Sequence, residues 1–358
     1  MKRILAVVLV AIVLSSCGNR CEIVGNVEKL DAEGYLYLTD MWKTREIIDS
    51  VEVDGDRFHF KGVKHEPTFA QLITKSGRPV TYLFVESGKV VVSGNYDLGN
   101  LEVSGTPAND AFEDMMKRSS DYMEAYRTAA GAGDKVAMEE IETNYDAMRK
   151  EYLVENLSNV LGVFMIQQFS YSEPSGETLK QIKTLSEEMK SLSLITRIKE
   201  KAERKFKTEP QTEGSDYVPH YINIEQVNLK EELVSLKSVV ENKKNRYVLL
   251  DFWASWCGPC MAEMPHLREA YKLYHKKGFE IYGVSLDSSY KLWQSAVEKQ
   301  QMKWVNVSAL EGFKGAAVED YAVESIPTNF LIDCSNGVIV AKNLRGEAVL
   351  EKLAELLK

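Results

Sequence analysis

The sequence predicts an α/β domain at its C-terminal end, preceded by a small β-rich domain and a helical spacer. Three observations predict it. Short apolar runs separated by turns fill residues 22–105, helical spacing of apolar residues fills 109–207, and strand-like and helix-like segments alternate from 220 onward. A chain of 358 residues has room for these parts, at roughly 100–200 residues per domain. Its 44% hydrophobic and 27% charged residues exclude a mostly disordered chain. The acidic balance, 44 Lys+Arg against 53 Asp+Glu, lacks the basic face that nucleic acid requires. Five cysteines are too few for a disulfide-stapled scaffold.

The chain opens on Met1-Lys2-Arg3 and an apolar run from Ile4 to Leu14. That run is too short for a membrane span, which needs about 20 residues. A basic start, a short apolar core and small residues behind it read as a secretory signal over 1–16. Leu14-Ser15-Ser16-Cys17 resembles a bacterial lipobox, which makes Cys17 the expected lipidation site and first mature residue. The bland alternative is an ordinary signal with a chance cysteine. Gly18, Asn19 and Arg20 carry no acid, so the expectation is a periplasm-facing lipoprotein in the inner or outer membrane, anchored through its lipid. Losing Lys2 and Arg3 takes the balance to 42 − 53 = −11. Such a compartment is oxidising, so a spare Cys-x-x-Cys pair there is a disulfide by default.

The β-rich part spans 17–105. Its β-prone runs are Tyr35–Leu38, Ile47–Val53, Phe58–Phe60, Ala70–Ile73, Val80–Val85, Val90–Val92 and Leu101–Val103, with turns at Asp54-Gly55, Ser76-Gly77 and Ser87-Gly88. They suggest a small sandwich or barrel. The stretch from Asp49-Ser50-Val51 through Asp54-Gly55 to Phe58-His59-Phe60 resembles a DUF4369-type domain. No catalytic cluster stands out, and His59 and His65, with no nearby cysteine, read as surface or strand histidines. In the spacer, 106–207, Met138, Ile141, Tyr145, Met148 and Tyr152 form one helical stripe, read as helix-to-helix packing. Further helices are expected over Asn156–Phe169 and, after Pro174-Ser175-Gly176, over Glu177–Phe206. Pro210, Gly214, Ser215 and Pro219 mark 208–219 as a linker.

The chemistry lies in 220–358. A buried-strand run, Tyr247–Phe252, leads through Trp253-Ala254-Ser255-Trp256 into Cys257-Gly258-Pro259-Cys260 and a helical stretch. A cysteine at a helix N-terminus meets unpaired N–H groups that favour its thiolate. One turn on, Cys260 is placed to close a disulfide. Zinc would need about four ligands, and only Cys21 and Cys334 remain, neither in a second pair. A structural disulfide across so small a loop would stabilise little. The peroxidatic pattern Pro-x-x-x-Thr-x-x-Cys is absent, since Leu250 and Ala254 stand where its proline and threonine belong. No metal and no cofactor are expected.

Asp251-Phe252-Trp253-Ala254, followed by Trp256-Cys257-Gly258-Pro259-Cys260 and by Pro265, resembles the thioredoxin superfamily, and within it the TlpA/ResA-like branch, from about Asp216 to Lys358. The resemblance implies a thioredoxin fold with paired final strands over Ile326–Asp333 and Val338–Val340, and Phe279–Ser285 and Trp304–Val307 read as further strands. Helices fall over Tyr290–Lys299, Phe313–Tyr321 and Gly346–Leu357. It makes Pro327 the family's cis-proline and Ile326 a backbone docking residue beside Trp256, Gly258 and Pro259. Asp251 matches the buried aspartate that takes the proton of Cys260, and Glu263 the active-site glutamate of ResA-like proteins. The implied function is a thiol–disulfide oxidoreductase, reducing protein disulfides and recharged by a membrane electron donor. The alternatives are a periplasmic disulfide oxidase or isomerase, or a binding scaffold with an accessory thioredoxin domain. His266, His275, Cys21 and Cys334 receive no role.

Overall fold

The computed structural model describes residues 20–210 and 217–358. Cys17, the leader and residues 211–216 of the expected linker lie outside the described residues. Two compact units emerge. One ends at Phe169 and takes in Lys183–Thr196; the other joins Ser170–Ile182 to Arg197–Lys358. The helical spacer is thus divided between them.

The first unit opens with strands β1 Cys21–Glu28, β2 Tyr35–Asp40, β3 Glu46–Glu52, β4 Arg57–Val63, β5 Thr68–Thr74, β6 Pro79–Val85, β7 Gly88–Asn95 and β8 Glu102–Ser104. They form two four-stranded sheets, ordered β4-β1-β7-β8 and β3-β2-β5-β6. Period-two alternation sends Ile23 and Val27 of one sheet, and Leu36 and Leu38 of the other, into one shared core. The sandwich alternative therefore holds. Strand β1 went unmarked in the sequence because Glu22, Asn26 and Glu28 dilute its apolar face.

The helices are α1 Pro107–Ala132, α2 Lys135–Glu155, α3 Val160–Phe169, α4 Ser175–Thr184, α5 Glu187–Lys190 and α6 Ser193–Thr208. On α2 the expected stripe turns inward, with Met148 and Tyr152 buried. Helix α3 starts four residues later than expected because Asn156 caps the end of α2. The single helix expected over Glu177–Phe206 is instead parts of three. Ser186 breaks it, its hydroxyl accepting from Met189 N as the cap of α5. Serine side chains offer the backbone such alternatives to helix continuation.

The second unit is built on a seven-stranded sheet. Its strands are β9 Glu225–Asn228, β10 Leu233–Ser235, β11 Tyr247–Trp253, β12 Phe279–Ser285, β13 Val305–Ser308, β14 Thr328–Asp333 and β15 Val338–Lys342. The order is β10-β9-β13-β12-β11-β14-β15. Helices α7 Leu236–Val240, α8 Gly258–Tyr274, α9 Tyr290–Lys299, α10 Ala316–Asp320 and α11 Glu347–Leu356 complete it. Strand β11 pairs with β12 in parallel and β14 antiparallel, which puts it deep in the sheet. All its residues from Val248 to Trp253 are buried, so the sequence reads there as a continuous apolar run broken by Asp251 alone. The β9–β10 hairpin escaped the sequence reading because Val227 and Leu233 face outward. The helix expected over Phe313–Tyr321 splits into a 3-10 turn and α10, parted by Gly315 in an extended conformation.

Among the described residues, no helix is long and apolar enough to cross a membrane.

Candidate active site

Strand β11 ends at Trp253, and a tight turn closed by a Cys257 N–H to Ala254 O bond of 3.1 Å delivers the chain to α8. Cys257 is the N-cap of α8, and its Sγ accepts from Cys260 N at 3.1 Å. The two cysteines form a disulfide with their Cα atoms 5.2 Å apart. Cys260 is fully buried, and Cys257 is 4% exposed. The outer sulfur is the one at the helix end, where orphan N–H groups stabilise negative charge. Gly258 and Pro259 form the exposed first turn beside it. Nothing stands within 4 Å of where a Cβ on Gly258 would project, so packing does not demand glycine there. Its smallness keeps the approach to Cys257 clear.

The opposite wall is the Ile326–Pro327 segment, joined by a cis peptide bond. Ile326 O lies 3.6 Å from Cys257 Sγ, a close contact rather than a hydrogen bond because the disulfide sulfur carries no proton. Thr328 Oγ1 donates to Ser325 O at 2.7 Å, and Arg345 donates to Pro327 O, so the loop is held at both ends. Trp256 is 57% exposed, with Phe313 6.3 Å away, centroid to centroid.

Asp251 is buried at mid-strand. Burial pushes its carboxyl up to about 7; the positive charge of Arg345 works against that rise, and Glu263 adds to it. Glu263, one helical turn beyond Cys260, is not a free carboxylate. Its Oε2 accepts from Gly346 N at 2.8 Å, at the start of α11. The structure thus gathers Cys257, Cys260, Trp256, Gly258, Pro259, Ile326 and Pro327 at one end of α8, with Asp251 in the strand behind and Glu263 bonded to Gly346 N.

Two residues went unnoticed in the sequence. Asp287, fully buried, accepts from Ser255 N at 3.0 Å, Ser255 Oγ at 2.5 Å and Ser285 Oγ at 2.7 Å. It fixes the turn that presents Trp256 and Cys257. Arg345 is the other. Both sit in polar stretches far along the chain from Cys257, where no local pattern marks them.

The remaining candidates stay outside this site. Cys21 and Cys334 are free thiols. Burial raises Cys21 to about 11 and Cys334 to about 12, so neither is a thiolate at neutral pH. His59 pairs with Glu22 at 2.6 Å, and His65 faces the buried Asp40 at 3.5 Å. Among the described residues, no group of three or more His, Cys, Asp or Glu is placed to hold a metal ion.

A cysteine pair closed as a disulfide at the N-terminus of the helix that follows a central strand, facing a cis-proline, defines a thioredoxin-fold thiol–disulfide oxidoreductase. The AhpC/TSA family matches residues 219–342, and a domain of unknown function, DUF4369, matches 21–112. Thiol-disulfide oxidoreductase ResA from Bacillus thuringiensis subsp. konkukian is 35% identical over 127 residues, covering 36% of this chain and 70% of that protein. Its counterpart from Oceanobacillus iheyensis is 30% identical over 126 residues, covering 35% and 62%. Among solved structures, the thioredoxin domain of a thiol-disulfide oxidoreductase from Bacteroides vulgatus has a TM-score of 0.37 at 32% identity, covering 42% of this chain and all 100% of that one. The chain belongs to the ResA-like thiol–disulfide oxidoreductases of the thioredoxin superfamily.

Proposed function

We propose that the protein is a periplasm-facing reductase of protein disulfides, anchored by an acyl chain on Cys17. The observation that carries the redox reading is the Cys257–Cys260 disulfide at the start of α8, beside the Ile326 carbonyl. In the reduced enzyme, Cys257 thiolate attacks one sulfur of a substrate disulfide. That S–S bond breaks, a substrate thiolate leaves, and a mixed disulfide forms on Cys257. Cys260, deprotonated, then attacks Cys257 Sγ and expels the second substrate sulfur. Two electrons pass to the substrate and the Cys257–Cys260 disulfide returns. Asp251 suits the role of proton acceptor for Cys260, because a carboxyl near 7 is partly ionised at neutral pH and still basic enough to take a proton. Backbone groups of Ile326 dock an extended substrate segment, while Trp256 shields the sulfurs. Glycine and proline between the cysteines resemble the low-potential, reducing members, which supports the direction. An oxidising compartment then requires a membrane electron donor to recharge the dithiol.

A trapping experiment tests this. Cys260→Ala leaves Cys257 unable to be released from its mixed disulfide, so the variant is expected to capture disulfide-linked partner proteins. Recovering none, with Cys257 shown to be reduced, would sink the exchange mechanism. A reduction potential well above that of thioredoxins would reverse the direction.

A further inference from the structure

Three consecutive residues between β15 and α11 are each held by a different part of the site. Asn329 of β14 grips Leu344 at both backbone groups: its Oδ1 accepts from Leu344 N and its Nδ2 donates to Leu344 O, each at 2.9 Å. Arg345 donates from one guanidinium nitrogen to Pro327 O, and from the other to Leu344 O at 2.9 Å. Gly346 N donates to Glu263. Gly346 itself sits at φ 54°, ψ −128°, a conformation that favours glycine and turns the chain into α11.

The sheet register decides what Arg345 faces. Asp251 stands opposite Asn329 on one side and Gly283 on the other. Paired residues project to the same face of a sheet, so the grip of Asn329 on Leu344 brings the 344–346 turn over the face that carries Asp251. The charged groups acting on Asp251 there are Arg345 from the turn and Glu263 from α8. Gly283 from β12 and Asn329 from β14 bring no charge. Arg345 is the one cation among them, and its planar fork can hold carbonyl oxygens without losing its charge.

We propose that Arg345 is a positioning residue of this site, which fixes the cis-proline loop through Pro327 O and sets a cation over the sheet face that carries Asp251. The proposal rests on the exchange reading above, in which Asp251 must be a carboxylate to accept a proton. It ties the docking loop to the proton acceptor through one side chain. Loop geometry and acid–base state then share a single support.

The test uses the full chain with Arg345→Gln and Arg345→Lys. The first readout is the titration of Asp251 in the oxidised protein, followed by 13C-carboxyl NMR and assigned with Asp251→Asn. Arg345→Gln is expected to raise the Asp251 midpoint by about one pH unit or more, the usual effect of losing a nearby opposite charge. Arg345→Lys should hold it near the wild-type value. The second readout is steady-state reduction of insulin and of a small aromatic disulfide, with dithiothreitol as electron donor. Arg345→Lys, which keeps the charge but loses the fork, should raise KM for insulin about fivefold, the worth of roughly one hydrogen bond. Its kcat, and its KM for the small disulfide, should not change. An unmoved Asp251 midpoint in Arg345→Gln overturns the proposal. So does an unchanged insulin KM in Arg345→Lys, which also decides the matter if the glutamine variant does not fold. A wild-type protein that exchanged neither disulfide would remove the exchange reading instead, while the titration still tested Arg345.

Discussion

Asp251 carries a cost that changes with pH. Its carboxyl titrates near 7 in the folded chain and near 4 when unfolded. The folded state therefore binds the proton more tightly, and the neutral acid is the form the core accepts. The stability contributed by that protonation is fully present below about pH 4 and is lost as pH rises through 7. Above neutrality the loss is on the order of 4 kcal/mol for a shift of about three pH units. Asp251→Asn removes the charge, so it should match the wild type near pH 3.5 and exceed its stability by about 2–4 kcal/mol at pH 9. Urea denaturation at the two pH values checks this, and equal stabilities at pH 9 would contradict the burial argument. At this scale much was legible in the sequence. A lone aspartate inside an apolar strand has few explanations, and a Cys-x-x-Cys after a strand has fewer. Glu263 was legible by its place one helical turn beyond Cys260 and by the family resemblance. Spacing says which face a residue lies on but not what it meets, and here it meets Gly346 N.

The turn between β11 and α8 is an element in its own right, and its support comes from a distant strand end. Asp287, just beyond β12, spends its carboxylate on Ser255 and Ser285. Asp287→Ala leaves the half-buried Ser255 N–H without its acceptor, so it should cost about 2 kcal/mol. It should also slow exchange at Cys257 by loosening the turn. Equilibrium unfolding and a disulfide-exchange assay read the two effects, and an unaltered stability would show the turn to be self-supporting. Strands with apolar runs or alternation, such as β2, β6, β11 and β12, were readable because periodicity reports burial. The β9–β10 hairpin was not, since its apolar side chains face outward. The long helix expected after Pro174 failed for a local reason, because serines that cap can also stop. Asp287 and Arg345 were invisible for another: single polar residues gain meaning only once strand order brings them to the site.

At the scale of the whole molecule, each unit has its own core. The first is closed by residues such as Phe60, 1% exposed between β-sheets, and the second by the side chains around β11. Phe60→Ala should destabilise the first unit by about 3–5 kcal/mol, the usual range for emptying a packed phenylalanine site. Exchange at Cys257 and Cys260 should keep its wild-type rate. Circular dichroism during denaturation and a parallel exchange assay make the comparison, and a matching fall in exchange rate would refute this separation. Within the second unit, Lys201 and Lys205 of α6 both pair with Glu324, just ahead of Ile326. Part of the spacer therefore borders the docking loop. The five tryptophans are unequally placed: Trp253, Trp293 and Trp304 are buried, Trp42 is half-buried, and Trp256 alone is exposed. An excited indole loses its light to a disulfide close by, and Trp253 and Trp256 precede Cys257 closely in the chain. Opening the Cys257–Cys260 bond should brighten the protein's own emission, so the site signals its oxidation state optically, with no label attached.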